Sequence, residues 1–214
     1  MAQRPPARVT PDSYWQRIDP PGAPVPEGYP ATFDDGRILI LPIRNLPGGK
    51  HALASLIINQ ASFAVLDAIA TALAAKMAVF APDIIVGLPT LGLTLAAAVA
   101  QKCGHARYVP LGTSRKFWYD QALSVPLVSV TAPTHERRLF IDPRMVSLLE
   151  GRRVVLVDDV ISTGSSISAG IALLAACGIR PVALATAMLQ TDRWQAKLAG
   201  WQIISVLRTP LLDV

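Results

Sequence analysis

Apolar residues fall into two alternating patterns along this chain: short unbroken runs of aliphatic residues, and longer stretches in which apolar positions recur every third or fourth residue. Runs of the first kind, Asp83 to Val86, Ala106 to Leu111, Val154 to Val157, Pro181 to Leu189 and Trp201 to Leu207, predict strands. Those without polar alternation read as parallel strands buried on both faces. Phe63, Leu66, Ile69, Leu73 and Met77, set in an alanine-rich stretch, predict one long buried helix from Leu53 to Phe80. Leu95, Val99 and Cys103 predict a second, and Ile167, Ile171 and Leu174 a third that ends at Cys177 with Gly178 as its stop. Asp142-Pro143 opens a short helix that Gly151 closes, and Asp192 to Ala199 predicts another. Strand and helix alternate, so the expected class is α/β, an open and mainly parallel sheet flanked by helices.

Three segments break this alternation. Residues 1–30 hold eight prolines and predict an extended segment, with Tyr14 and Trp15 as possible anchors. Asp34-Asp35-Gly36, flanked by Thr32-Phe33 and by Ile38 to Ile43, predicts a hairpin within residues 31–52, which leaves 53–214 as the core. Thr113 to Arg137 has no periodicity, and a loop of that length in a compact domain implies a purpose. It carries Arg115-Lys116 near one end and Arg137-Arg138 at the other. Its Phe117-Trp118-Tyr119 calls for something to pack against.

The candidate chemistry sits at 154–166, where an apolar run ends in Asp158-Asp159 and then Ser162-Thr163-Gly164-Ser165-Ser166. Carboxylates at the carboxyl end of a parallel strand stand at the mouth of the ligand crevice. The small-residue loop that follows opens a helix, whose free amides form an anion site. Together they suit a sugar phosphate: the acids accept hydrogen bonds from a vicinal diol and the amides hold the phosphate. The alternative is a strand end whose acids only cap a helix. Gly87-Leu88-Pro89-Thr90-Leu91-Gly92 repeats the strand, loop and helix order and is a second candidate cradle. Asn59 and Gln60, at the start of the predicted long helix, satisfy its N–H groups or address a ligand edge.

The stretch 154–166 resembles the phosphoribosyl pyrophosphate (PRPP) motif of the type I phosphoribosyltransferases: four apolar residues, two acids, two apolar residues, then a Thr-Gly loop. The resemblance implies a Mg²⁺-dependent transfer of ribose 5-phosphate from PRPP to a nitrogen base, purine or orotate-like, with release of pyrophosphate. It implies that Asp158 and Asp159 hold the ribose hydroxyls and that Ser162, Thr163, Gly164, Ser165 and Ser166 hold the 5-phosphate. Gly87, Leu88, Pro89, Thr90, Leu91 and Gly92 become the pyrophosphate loop. Residues 113–137 become a lid whose Arg115, Lys116, Arg137 and Arg138 are the catalytic cations, and the 31–52 hairpin becomes a small N-terminal hood over the base. Relatives acting on 6-oxopurines often place an acid where Ser162 stands, so the motif is closer to the adenine and orotate branches. A homodimer is implied as well. The rival class is a PRPP-binding regulator without catalysis, although such proteins usually add a nucleic-acid module.

Composition narrows the setting. With 214 residues, 51% apolar and 16% charged, the chain has enough apolar residues for one substantial core. A net charge of +5 points to an anionic partner. The cations come in short pairs and not in a basic run, which suits a phosphorylated small molecule better than nucleic acid. The two cysteines, each before a glycine at a helix end, read as packing residues. His51, His105 and His135 are not spaced as a metal pair, so no metal is expected on the protein alone and Mg²⁺ is expected to arrive with PRPP. The first residues lack a signal-peptide core, and the apolar stretch 84–100 is broken by Gly87, Pro89 and Gly92. A cytoplasmic protein with no membrane association is expected.

Overall fold

A computed structural model describes residues 13–25, 27–127 and 137–213. Strands β1 (Tyr29–Thr32) and β2 (Ile38–Leu41) form the expected antiparallel hairpin. Its turn closes through Gly36, which adopts φ +83°. β3 (Ile43–Asn45) and β4 (His51–Ala54) form a second antiparallel pair. Helix α1 (Phe63–Met77) is capped by Ser62, whose hydroxyl accepts from the Val65 N–H at 3.2 Å. Then follow β5 (Ile84–Gly87), α2 (Gly92–Lys102) and β6 (Val109–Pro110). An antiparallel ribbon of β7 (Ser124–Pro126) and β8 (Arg138–Phe140) leads to the one-turn α3 (Pro143–Val146), capped by Asp142. The chain closes with β9 (Val154–Ile161), α4 (Ser165–Ala176), β10 (Ala183–Gln190), β11 (Ile203–Thr209) and β12 (Leu211–Asp213).

The central sheet runs β11-β10-β9-β5-β6, and every pairing in it is parallel. This is the α/β architecture that the apolar runs predict. Along β9 the side chains alternate between two cores. Val155 and Val157 face α1 and α2, while Val154 and Leu156 pack with Ile167, Leu173 and Leu174 of α4. Both layers are needed because all eight residues of β10 are buried. Numbered within the sheet alone, the order is 2-1-3-4-5, which reverses direction between β5 and β9. Loops leaving adjacent strands at such a switch point diverge to opposite faces and open a crevice between them. The loops that leave β5 and β9 are 87–92 and 162–166.

Several expectations change. No helix spans Leu53 to Phe80 from end to end: β4 occupies 51–54, a single 3₁₀ turn holds Ile58–Gln60, and the helix starts at Phe63. The reason is tertiary, since the C-terminal β12 pairs with β4 and commits that segment to a sheet. Asn59 and Gln60 therefore lie before the helix, whose N–H is served by Ser62 instead. Asp192 to Ala199 forms successive turns and no regular helix. Part of the aperiodic 113–137 segment is ordered as β7, while 128–136, the middle of the expected lid, lie outside the described residues. Of the Pro-rich segment, 1–12 and Pro26 also lie outside them. Trp15 is buried, and its indole N–H donates to the Ser55 carbonyl at 3.0 Å, so the segment is anchored from there. By length and composition Phe63–Phe80 is apolar enough to cross a membrane. Here its Val65, Ile69, Leu73 and Met77 fill the first core.

Candidate active site

β9 does not stop at Val157 but continues to Ile161, so the two acids are strand residues. Alternation sends them to opposite faces. Asp158 is buried at 5% exposure, while Asp159 is partly open. The Asp159 N–H donates to Asp158 Oδ1 at 3.0 Å, and the Thr186 hydroxyl on β10 donates to the Asp159 carbonyl at 2.8 Å. Burial, reinforced by the neighbouring Asp159 charge, pushes the Asp158 carboxyl well above the usual carboxylate range. Asp159 is raised too, again chiefly by burial. Among the described residues no cationic side chain pairs with either carboxyl, which suits them to accept from a ligand or to meet a cation.

The 162–166 loop turns through Gly164 at φ +76° into α4, which has no side-chain N-cap bond. The Ser165 N–H donates to Thr163 Oγ1 at 3.4 Å, at the long end of hydrogen bonding, so a helix N-terminus of this kind can still take an anion. The loop and Asp158 enclose a space of about 90 Å³. That is a few water volumes, on the scale of one phosphate group and too small for a whole nucleotide. Thr163 Oγ1 and Ser165 Oγ lie 3.1 Å apart at its edge. On the other side of the switch point, the Leu88 N–H donates to the Val157 carbonyl at 2.9 Å, which ties the 87–92 loop to β9. The Pro89–Thr90 peptide is cis. α2 also lacks a side-chain cap. It begins against the acids: a Cβ on Gly92 would stand 2.9 Å from Asp158 Oδ1. The structure thus sets Gly92 against Asp158 and places Asp158 and Ser162 to Ser166 around one space, while Leu88 is buried in the second core.

The four expected lid cations stand apart from it. Arg115, Lys116 and Arg137 are exposed, and Arg138 is bound within the ribbon, donating to Ser124 Oγ at 2.9 and 3.1 Å and to its carbonyl at 3.1 Å. Among the described residues none of them bonds to the acids or to the 162–166 loop. Trp118 of the aromatic run reaches Asp142 Oδ2 at 3.3 Å and packs edge-on between Phe117 and Tyr119. Sequence reasoning missed Thr186, although a lone hydroxyl in an otherwise apolar strand was a signal. It also missed Lys197, whose Nζ donates to Ser165 Oγ at 2.7 Å from the segment expected only as a short helix. Among the described residues, no group of three or more His, Cys, Asp or Glu side chains is placed to hold a metal ion.

A doubly wound sheet with two helix N-termini meeting two carboxylates at its switch point is an α/β architecture suited to phosphate esters. The chain belongs to the Phosphoribosyl transferase domain family, which matches residues 54–207. An orotate phosphoribosyltransferase from Methylibium petroleiphilum is 33% identical over 112 residues, 52% of this chain and 40% of that protein. The matched region thus spans less than half of that relative. An adenine phosphoribosyltransferase from Thermoanaerobacter pseudethanolicus superposes with a TM-score of 0.61 at 19% identity, covering 79% of this chain and 95% of that one. The Trypanosoma brucei adenine phosphoribosyltransferase, solved with AMP, pyrophosphate and ribose 5-phosphate, gives 0.60 at 19% identity, covering 78% and 75%. At these identities the likeness is one of fold.

Proposed function

We propose that this protein is a phosphoribosyltransferase that moves ribose 5-phosphate from PRPP to a nitrogen base of the adenine or orotate kind. The observation that carries this reading is the acid pair Asp158-Asp159 set between two helix N-termini, one for each end of PRPP. In the reaction the bond from the anomeric carbon to pyrophosphate breaks, and pyrophosphate leaves with the electron pair. A bond from that carbon to a base nitrogen forms, and the base gives up a proton. The 162–166 loop holds the 5-phosphate, the acids accept from the ribose hydroxyls, and the amides of 87–92 bind the developing negative charge on pyrophosphate. Two carboxyls are too few to cage Mg²⁺ but suit an ion that retains waters and substrate oxygens. When bound, Mg²⁺ supplies charge neutralisation at the leaving group.

The cations of the 113–137 segment, Arg115, Lys116 and Arg137, with Arg138 directly after it, are assigned to the same leaving group upon closure, which would also exclude water. For the hood we keep the 31–52 region, of which β3 and the start of β4 join β12 in a three-stranded sheet. Gln190, at the carboxyl end of β10, donates to the Ala54 carbonyl at 2.8 Å, and β12 follows β11 directly, so this sheet stands on the ligand side of the crevice.

PRPP with Mg²⁺ at about a hundred times its dissociation constant should stabilise the protein by about 2.7 kcal/mol, a rise in melting temperature of about 5–10 °C. Pyrophosphate release from PRPP should then require one base out of adenine, hypoxanthine, guanine, orotate and uracil. No thermal shift and no release would remove the proposal. A shift without release from any base would assign the regulatory role instead.

A further inference from the structure

We infer that Lys197 is the cation of the 5-phosphate subsite, an inference that rests on the phosphoribosyl reading above. The 162–166 loop offers hydroxyls and amides but no positive side chain, and the nearest charged residues before it, Asp158 and Asp159, are carboxyls. A phosphate ester carrying close to two negative charges beside that acid pair requires a counter-charge. Lys197 comes from a different element, the run of turns between β10 and β11. That run is fixed in place: Leu198 is 2% exposed, and the Trp194 indole N–H donates to the Thr191 carbonyl at 2.8 Å. It lies directly on the loop, since a Cβ on Gly164 would meet Leu198 Cγ at 3.3 Å and Trp194 Cβ at 3.5 Å.

From this support Lys197 Nζ reaches Ser165 Oγ at 2.7 Å, and Ser165 in turn lies 3.1 Å from Thr163 Oγ1. Both hydroxyls line the phosphate-sized space. The contrast with other lysines is informative. Lys76 and Lys102 each hold a carboxylate, Asp34 at 2.8 Å and Asp67 at 2.6 Å. Lys197 has no carboxylate partner among the described residues, and its ammonium is spent on a neutral hydroxyl of the loop. An oxygen bound at the Ser165 amide or hydroxyl would lie one hydrogen bond from that ammonium. The flexible lysine stem allows Nζ to pass from Ser165 to the phosphate without backbone movement.

The test is calorimetric titration of ribose 5-phosphate, PRPP and magnesium pyrophosphate into the wild-type chain, Lys197→Gln and Lys197→Arg. Lys197→Gln is expected to weaken ribose 5-phosphate and PRPP by about 10- to 100-fold, the range of one lost charge-assisted bond. Pyrophosphate, which lacks the 5-phosphate, should bind as before, and Lys197→Arg should retain most of the affinity. The salt dependence of ribose 5-phosphate binding should become shallower in the glutamine variant, a change that a merely structural prop would not produce. The side chain is exposed, so the unliganded melting temperature should not move. Unchanged ribose 5-phosphate affinity in Lys197→Gln overturns the assignment while leaving the enzyme reading standing. A parallel loss of pyrophosphate binding and melting temperature overturns it in favour of a structural role. A wild-type chain that binds neither PRPP nor ribose 5-phosphate overturns the phosphoribosyl reading itself, and this inference with it.

Discussion

Changing Asp158 and Asp159 together to asparagine is expected to lower PRPP affinity or turnover by a factor on the order of 10² to 10⁴ while leaving the fold intact or more stable. Each carboxylate is assigned a charge-assisted bond to a ribose hydroxyl, worth about 1.5–3 kcal/mol, and the two together span that range. Asparagine keeps the shape, and its Oδ1 can still accept from the Asp159 backbone N–H. The effect on stability follows from the direction of the titration shift. Burial raises Asp158 above its ordinary range, so the fold favours the protonated form. That contribution is complete below the ordinary carboxylate range and is lost as pH rises through the raised value. Above the ordinary carboxylate range that stabilisation is progressively withdrawn, so the asparagine variant should melt no lower than wild type at pH 8. Its advantage should shrink as the pH is brought down toward 4. Melting curves across this range and PRPP titration on the same variant check both parts. A variant that melts clearly lower at pH 8, yet binds PRPP in proportion to its folded fraction, would show that the acids are structural caps.

Gly92→Ala should damage both stability and the site. The added Cβ would lie 2.9 Å from Asp158 Oδ1, 3.0 Å from Asp158 Cα and 3.3 Å from the Asp159 nitrogen. Two of these are backbone atoms of a central strand, so either α2 or β9 must move. Alanine gains up to about 1 kcal/mol of helix propensity, whereas overpacking at a rigid contact costs about 1–3 kcal/mol, so the clash wins. The expected result is a melting temperature lower by about 2–8 °C. PRPP affinity should fall tenfold or more, because the displaced groups are those assigned to the ribose and the pyrophosphate. Gly112→Ala is the control: its Cβ would meet nothing within 4 Å and its φ is not positive, so neither quantity should change. Wild-type affinity and melting in Gly92→Ala would mean that the close approach is not required.

The sequence by itself determined the parallel core and its central motif. Val154 to Val157, Ile84 to Val86 and Ala183 to Leu189 are buried strands, because such runs suit a strand covered on both faces. The acids followed by Ser162 to Ser166 were equally legible, since loop and helix start are local in sequence. Three things were decided only by tertiary structure. β4 is a strand and not the first turn of a long helix because Leu211 to Asp213, more than 150 residues later, pairs with it. Asp158 and Asp159 differ in burial because β9 continues through them, and strand alternation turns one inward. Lys197 reaches Ser165 because Leu198 and Trp194 dock their segment on Gly164, a contact between residues more than 25 positions apart that no periodicity encodes. Local pattern specifies which segments bury themselves. Which polar groups meet in the crevice is settled by long-range pairing and packing, and most of this site's charge placement belongs to that second class.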